Sequence, residues 1–278
     1  MTTTTTTAAR PVATPPAPAA RPAGRHGPSA LRHGATLAWR GVTKTIHSPE
    51  ALLDITLQPV IFLLLFVYVF GGAISGNTTT YLQFALPGVL VQTVIFASAG
   101  TGVGLADDLQ TGIFDRFRSL PISRAAPLLG AIGADLVRYL TSAVIMLVVG
   151  VILGFRFGTG PLAVVAALGL VMAFAFALCW VFTTLAMVVT QPRSVQGLGF
   201  LIMMPLTFGS NVFVPASTMP SWLRGWVEVN PVSKVADAVR GLLTGGPVAG
   251  SAGAALLWAV GIFAVFAPVA VALYRRRA

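Results

Sequence analysis

The chain has 278 residues, of which 55% are hydrophobic and only 9% charged, and its formal net charge is +10. Soluble globular domains carry about a quarter charged residues, so this composition excludes an ordinary soluble protein. The charges gather in short clusters between long uncharged stretches, a pattern typical of several membrane-spanning helices joined by short loops. The positive balance is therefore interpreted as basic loops retained on the cytoplasmic side of a membrane, and not as nucleic-acid binding.

The amino-terminal region divides into a tail and a predicted helix. Residues 1–30 are rich in threonine, alanine and proline and hold too few large apolar residues for a core, which predicts a disordered cytoplasmic tail. Between residues 31 and 49 apolar side chains recur at helical spacing beside Trp39, which predicts a helix lying in the membrane interface. An amphipathic helix packed on protein is the alternative.

Six apolar segments follow this helix, and together they predict an all-α, polytopic membrane protein with six transmembrane helices. They run over about 52–73, 84–105, 128–154, 162–190, 197–214 and 251–273. Each reaches the roughly 20 residues needed to cross a bilayer, although the fifth only just does. Residues 31–278 are accordingly interpreted as one transmembrane domain.

The distribution of basic residues predicts the orientation. With the amino terminus inside, 14 of the 18 Lys+Arg fall on the cytoplasmic side and 4 outside. Both termini are therefore expected in the cytoplasm, as an even number of spans requires. Lys44 and Lys234 are the only lysines, and this preference for arginine, with much alanine and glycine, indicates a GC-rich bacterial genome and hence a bacterial cytoplasmic membrane.

The segment between the fifth and sixth spans, residues 215–247, is predicted to lie outside. Trp222 and Trp226 are four residues apart, and a second amphipathic stretch follows Pro231. Such a segment is expected to sit in the outer interface or to dip into the membrane. Anchoring and gating remain equally open as its role.

The sequence offers no energy source and no catalytic centre of its own. Asp54, Asp135 and Arg138 lie near the predicted cytoplasmic ends of spans, so the span centres lack the ionisable groups of an ion-coupled carrier. Neither lysine belongs to a Gly-Lys-Ser/Thr phosphate loop. The single cysteine, Cys179, is interpreted as a buried apolar residue, and no catalytic residue, cofactor or metal site is predicted. Energy must therefore come from another chain, or the protein is not an active transporter.

The predicted cytoplasmic loop at 106–126 is the best candidate to receive such a partner. It mixes acidic and basic residues with exposed aromatic side chains, a composition that suits a protein interface. The residues predicted to form the ATPase-coupling contact are Gly112, Phe114, Asp115, Arg116, Phe117 and Arg118. A solvated loop that only sets topology is the alternative.

The loop sequence GIFDRFRSLPISR at 112–124, with PSWL at 220–223 and NPVS at 230–233, resembles ABC-2 type transporter permeases of the daunorubicin-resistance antibiotic-exporter branch. The resemblance covers about residues 31–278. It implies an interfacial helix, six spans, and re-entrant helices between spans five and six, here with Trp222, Trp226, Asn230 and Pro231. It also implies a coupling helix within about 106–120 that sits in a groove of a separate ATP-binding subunit, and a working unit of two permease and two ATPase chains.

The function expected from these observations is that of the permease subunit of an exporter in the lipid bilayer. It would move an amphiphilic, drug-like small molecule out of the cell with ATP hydrolysed by the separate subunit. A permease for a polysaccharide or lipid-linked glycan is the alternative within transport, and a membrane scaffold or an intramembrane enzyme is the alternative outside it. A homodimer is expected, with a heterodimer open. Phe62, Phe66, Met203, Met204 and Phe208 could line a substrate path or simply pack.

Overall fold

The computed structural model of the chain describes residues 49–111, 126–189 and 191–277, and within these ranges it contains helices and no strand. The helices are α1 (Pro49–Leu65), α2 (Gly71–Ser75), α3 (Thr78–Gln110), α4 (Ala126–Ile152), α5 (Pro161–Val188), α6 (Pro192–Phe208), α7 (Ser221–Val229), α8 (Pro231–Thr244) and α9 (Ala249–Arg277). A π-helical turn (Phe66–Phe70) joins α1 to α2, and a 3-10 turn (Ala216–Thr218) precedes α7. The all-α prediction is confirmed. The predicted tail and interfacial helix lie outside the described residues.

Five helical stretches are long and apolar enough to cross a membrane, as judged over the described residues. They are Leu57–Ser75, Thr78–Gln110, Leu129–Ile152, Pro161–Val188 and Ala249–Tyr274. These stretches match the first, second, third, fourth and sixth predicted spans, so a multi-pass membrane protein is confirmed.

The predicted fifth span has different boundaries. Helix α6 covers 17 residues, beginning at Pro192 and ending at Phe208, and not 197–214. Pro192 suits the first helical position because its missing N–H would be unpaired there anyway. After α6 the chain turns, and the apolar residues up to Val214 leave the helix. At 1.5 Å per residue α6 is about 26 Å long, less than the roughly 30 Å of a hydrocarbon core, and the count of six spans stays a prediction.

Helix α3 is the centre of the bundle and contacts α1, α4, α5, α6 and α8. Glycines allow its closest approaches. A Cβ at Gly102 would lie 2.8 Å from the carbonyl oxygen of Phe182 in α5, and one at Gly88 would lie 2.6 Å from the carbonyl oxygen of Val212. By contrast, α9 exposes much of its apolar surface: Leu257 is 75% exposed. The interior of the protein is therefore built around α3, and α9 lies at the periphery.

The helix ends define two ends of the molecule. The carboxyl ends of α3, α5 and α9 meet the start of α6 in one apolar cluster. Its buried members are Leu105, Ala106, Ala186, Met187, Val195 and Tyr274. We call this the basic end, because Arg193 and residues 275–277 lie there and the 112–125 segment continues from it. At the opposite end, the N–H of Gly158, in the α4–α5 loop, donates to the carbonyl oxygen of Leu243 at 2.9 Å.

Candidate functional site

A cleft of about 620 Å³ lies between α1, α3, α4 and α6. Its walls are mainly aromatic and thioether side chains. The apolar lining includes Phe62, Phe96, Phe200, Met203, Met204 and Phe208. This volume lies in the range of pockets that hold small organic molecules, and a mostly apolar wall with few polar groups is typical of such pockets.

Helical spacing brings the lining residues of each helix to one face. On α3 the lining residues Gln92, Phe96 and Gly100 are four apart, and on α6 Gln196 and Phe200 have the same spacing. Of the five side chains that the sequence left open between lining and packing, Phe62, Met203, Met204 and Phe208 line the cleft. Phe66 does not, because its ring stacks on Phe213 with 4.2 Å between the ring centroids.

The polar side chains of the cleft are Gln58, Gln92, Thr93, Arg138 and Gln196. Gln92 is 7% exposed, and its Oε1 has no hydrogen-bond partner. Arg138 forms an ion pair with Asp135, with Nη2 at 3.1 Å from Oδ1, but its Nε is buried without a partner. Among the described residues no acidic side chain lines the cleft. Within the part of the chain that the structure describes, the cleft therefore has one charged group, which is positive, and two polar atoms whose hydrogen-bonding capacity is unused.

Behind Arg138 a buried polar cluster joins α3, α4 and α5. Thr101 is its centre: its hydroxyl donates to Oδ2 of Asp135 at 2.6 Å and is hydrogen-bonded to the hydroxyl of Tyr139. The carbonyl oxygen of Ala97, 2.9 Å from the Tyr139 hydroxyl, is a second acceptor for the one proton of that hydroxyl. The Sγ of Cys179 lies 3.6 Å from the Thr101 hydroxyl. The i, i+3 spacing of Asp135 and Arg138 in the sequence allows them to pair on one helix face, and this pair is present. Sequence reasoning missed Thr101 and Tyr139, which carry no periodic or charge signal.

The predicted outer segment forms a hairpin of α7 and α8 that turns at Asn230 and Pro231. Asn230 is buried, and its Nδ2 donates to the carbonyl oxygens of Leu206 at 2.8 Å and Gly209 at 3.2 Å. Its Oδ1 accepts from the N–H of Val232 and so caps α8, whose first residue is Pro231. The two tryptophans are on the other arm and remain exposed, Trp222 at 76% and Trp226 at 48%. Asn230 and Pro231 thus form the turn, and the tryptophans face outward.

Arg240, in α8, belongs to a hydrogen-bond network with three other segments or side chains. Sequence reasoning counted it only as one of the four basic residues expected outside the membrane. Its three nitrogens donate to the carbonyl oxygen of Phe84 at 3.2 Å, to Oδ1 of Asp237 at 2.8 Å and to the carbonyl oxygen of Asn211 at 3.1 Å. The guanidinium carbon lies 4.0 Å from the centroid of the Phe84 ring. Burial lowers the pKa of Arg240 from its ordinary value, and the Asp237 carboxylate opposes that shift. The i, i+3 spacing of Asp237 and Arg240 was the available signal.

The predicted coupling residues lie outside the described residues. They are Gly112, Phe114, Asp115, Arg116, Phe117 and Arg118. The described chain stops at Thr111, just after α3, and resumes at Ala126, where α4 begins. The structure therefore leaves their role as a prediction.

A bundle of apolar helices around a cleft defines the class as a multi-pass membrane protein. The family model of the ABC-2 type transporters matches residues 33–244, and the chain belongs to this family. It is 41% identical over 257 residues to the daunorubicin resistance ABC transporter permease protein DrrB1 of Streptomyces coeruleorubidus, a match covering 92% of this chain and 91% of that protein. It is 30% identical to the probable doxorubicin resistance ABC transporter permease protein DrrC of Mycobacterium tuberculosis, over 85% of this chain and 86% of the relative. A more distant relative is the putative transport permease ycf38 of Cyanophora paradoxa, 30% identical over 69% of this chain and 67% of that protein.

The chain is thus the membrane permease subunit of an ABC transporter, a non-catalytic component that works with an ATP-binding subunit.

Proposed function

We propose that the cleft between α1, α3, α4 and α6 is the substrate cavity of an exporter for amphiphilic, drug-like small molecules. The observation that carries this proposal is the cavity of about 620 Å³ with its phenylalanine and methionine walls. The daunorubicin and doxorubicin resistance named for the relatives supports the same substrate class. A polysaccharide would need many more hydrogen-bonding groups than the few polar side chains of this cleft, which argues against the glycan alternative.

The membrane arrangement belongs to the same proposal. The basic end faces the cytoplasm together with both termini, as the bias of basic residues suggests. Helix α6 and the chain following it form the fifth of six spans, and the α7–α8 hairpin enters the membrane from outside. Two contacts support the hairpin's depth: its turn at Asn230 is bonded to the end of α6, while the far end of α8 meets Gly158.

Coupling to ATP hydrolysis is proposed to run through residues 112–118, which directly follow the central helix α3. Phe114 and Phe117 would insert as apolar contacts into the ATP-binding subunit, and Asp115, Arg116 and Arg118 would set the register by charge. A second copy of the permease would complete the transporter as a homodimer.

An efflux assay tests the cleft. Gly100 lines the cleft and Gly104 does not, although both are on α3 and neither has a neighbour that would clash with a Cβ. With the ATP-binding subunit co-expressed, Gly100→Phe is expected to lower doxorubicin efflux from cells about tenfold or more, because the ring occupies the cavity. Gly104→Phe is the matched control and should retain efflux. Equal efflux by both variants at equal membrane abundance would refute the cleft as the substrate cavity.

The same assay tests coupling. Phe114→Ala with Arg116→Glu should leave the permease in the membrane while reducing both co-purification of the ATP-binding subunit and efflux, because loss of a buried interface aromatic costs about 2 kcal/mol or more. Normal efflux with a normally bound partner would exclude this segment as the coupling contact.

A further inference from the structure

We propose that Arg138 makes the cleft selective for amphiphiles that present a carboxylate or a similar oxygen acceptor at one end of an apolar body. This inference rests on the proposed function, because it names the chemistry that the substrate cavity recognises. It assigns to Arg138 a direct contact with the ligand.

The first argument is the charge of the cleft wall. Arg138 is the one charged side chain among the described lining residues. Its partner Asp135 is not in the wall and is bonded on its other oxygen to Thr101. The cation therefore faces the cavity, while its counter-charge is held on the protein side. In a cavity of low polarity the guanidinium donors attract an oxygen acceptor.

The second argument is unused hydrogen-bonding capacity. Buried polar atoms are nearly always paired, so each exception needs an explanation. Two exceptions belong to cleft residues: Nε of Arg138, a donor, and Oε1 of Gln92, an acceptor. Gln92 is 93% buried, as its 7% exposure implies, and so cannot rely on bulk water. Both atoms are themselves buried, so a rotation of the side chain would present either of them to a ligand in the cleft.

The third argument is space beside the guanidinium. The nearest neighbour of a Cβ built on Gly100 would be Nη2 of Arg138, at 3.8 Å. Gly100 also lines the cleft, and the absent side chain leaves room for a ligand head group next to Arg138. The ligand's apolar body would then extend along Phe96 and Phe200, whose ring centroids are 6.4 Å apart in an edge-on arrangement.

The test measures binding of three probes with one aromatic body: 1-pyrenebutyrate, 1-butylpyrene and 1-pyrenebutylamine. The complex of the permease with its ATP-binding subunit is placed in phosphatidylcholine nanodiscs, and the probe bound in excess of empty nanodiscs is determined by equilibrium dialysis. Pyrenebutyrate should bind about tenfold more tightly than butylpyrene, the gain expected of one charge-assisted hydrogen bond, and more tightly than pyrenebutylamine, whose head group offers no oxygen acceptor.

Four variants identify the group responsible. Arg138→Gln should abolish the preference for pyrenebutyrate, and Arg138→Lys should keep part of it because the charge remains. Gly100→Asp adds a carboxylate beside an intact Arg138 and should also abolish the preference, so the test does not depend on removing the arginine. Arg193→Gln makes the same chemical change as Arg138→Gln at an exposed basic-end residue outside the cleft, and should keep the preference.

Each outcome separates this inference from the proposed function. If no probe binds above empty nanodiscs, the cleft is not a ligand cavity and both fail. If the probes bind alike, or Arg138→Gln retains the preference, only the role of Arg138 fails. In nanodiscs containing phosphatidylglycerol, displacement of pyrenebutyrate would support acceptor recognition and assign the site to a lipid head group. Undiminished binding there would support recognition of a free amphiphile.

Discussion

Two Asp-x-x-Arg pairs of the same spacing have different surroundings in this protein. Asp135 and Arg138 lie on α4 at the cleft, and Asp237 and Arg240 lie on α8 near the opposite end. Both pairs are ion pairs on one helix, at 3.1 Å and 2.8 Å. The arginine of the α8 pair also donates to two backbone carbonyl groups of other segments, whereas that of the α4 pair keeps an unpaired Nε at a cavity wall.

This difference separates a structural arginine from one available to a ligand. Arg240 connects α8 to Phe84 of α3 and to Asn211 in the chain after α6, so removing it takes a charged donor from two backbone carbonyl oxygens on other segments. Among the described residues Arg138 forms an ion pair with its own helix neighbour Asp135, which Thr101 also binds, and lies over the ring of Tyr139 on the same helix. Both arginines form an ion pair, so the feature that distinguishes Arg240 from Arg138 is its hydrogen bonds to other segments.

The largest expected effect is that of Arg240→Met, which would lower the free energy of unfolding by about 3 kcal/mol, because two backbone carbonyl groups on other segments each lose a hydrogen bond from a charged donor. The measurement is equilibrium unfolding in mixed micelles of increasing SDS fraction. Arg156→Met, at an exposed residue of the α4–α5 loop, is the control and should change little. A loss below about 1 kcal/mol for Arg240→Met would remove the distinction between the two pairs.

A smaller effect is expected of Gly88→Ala, which tests the backbone around the Arg240 network. Its new Cβ would lie 2.6 Å from the carbonyl oxygen of Val212, next to Asn211, and must displace the chain that binds Arg240. We expect a loss of about 1–3 kcal/mol in the same unfolding assay. Gly104→Ala on the same helix meets open space and should be neutral or stabilising by up to about 1 kcal/mol. Equal stability of the two variants would show that the approach at Gly88 is not tight.

The smallest effect on stability is expected of Arg138→Met, the same chemical change as in the first prediction. A loss of about 1 kcal/mol is expected, because Asp135 keeps its hydrogen bond from Thr101 and no hydrogen bond of Arg138 to a backbone carbonyl of another segment is seen among the described residues. Ligand binding, in contrast, should change strongly. If Arg138→Met lowers the free energy of unfolding as much as Arg240→Met does, Arg138 is a structural residue.

The spans were predictable because hydrophobic length is a local property. Five of the six predicted segments coincide with described helices that are long enough to cross a membrane. The fifth segment differs from helix α6 in its bounds, because its apolar composition continues beyond Phe208, where the helix ends and Gly209 begins a turn held by Asn230. That turn depends on a residue about twenty positions away, which no local pattern contains.

The candidate site was predictable only in part. The sequence left Phe62, Met203, Met204 and Phe208 open between lining and packing, and all four line the cleft. The sequence could not show that Phe66 packs instead of lining the cleft, because the ring on which it stacks, that of Phe213, belongs to the chain after α6. Thr101 and Tyr139 were missed because the role of a buried hydroxyl depends on which group the fold places within hydrogen-bond distance of it.

The sequence by itself determined that this chain is a multi-pass helical membrane protein without a phosphate loop, since the length of apolar runs and the absence of a motif are both local features. Tertiary structure alone decided which of two identical Asp-x-x-Arg spacings joins separate segments and which faces a cavity. The physical reason is that the partners of an arginine outside its own helix depend on which segments pack within hydrogen-bond distance of it. For Arg240 these partners are two backbone carbonyl groups from residues 156 and 29 positions away in the sequence.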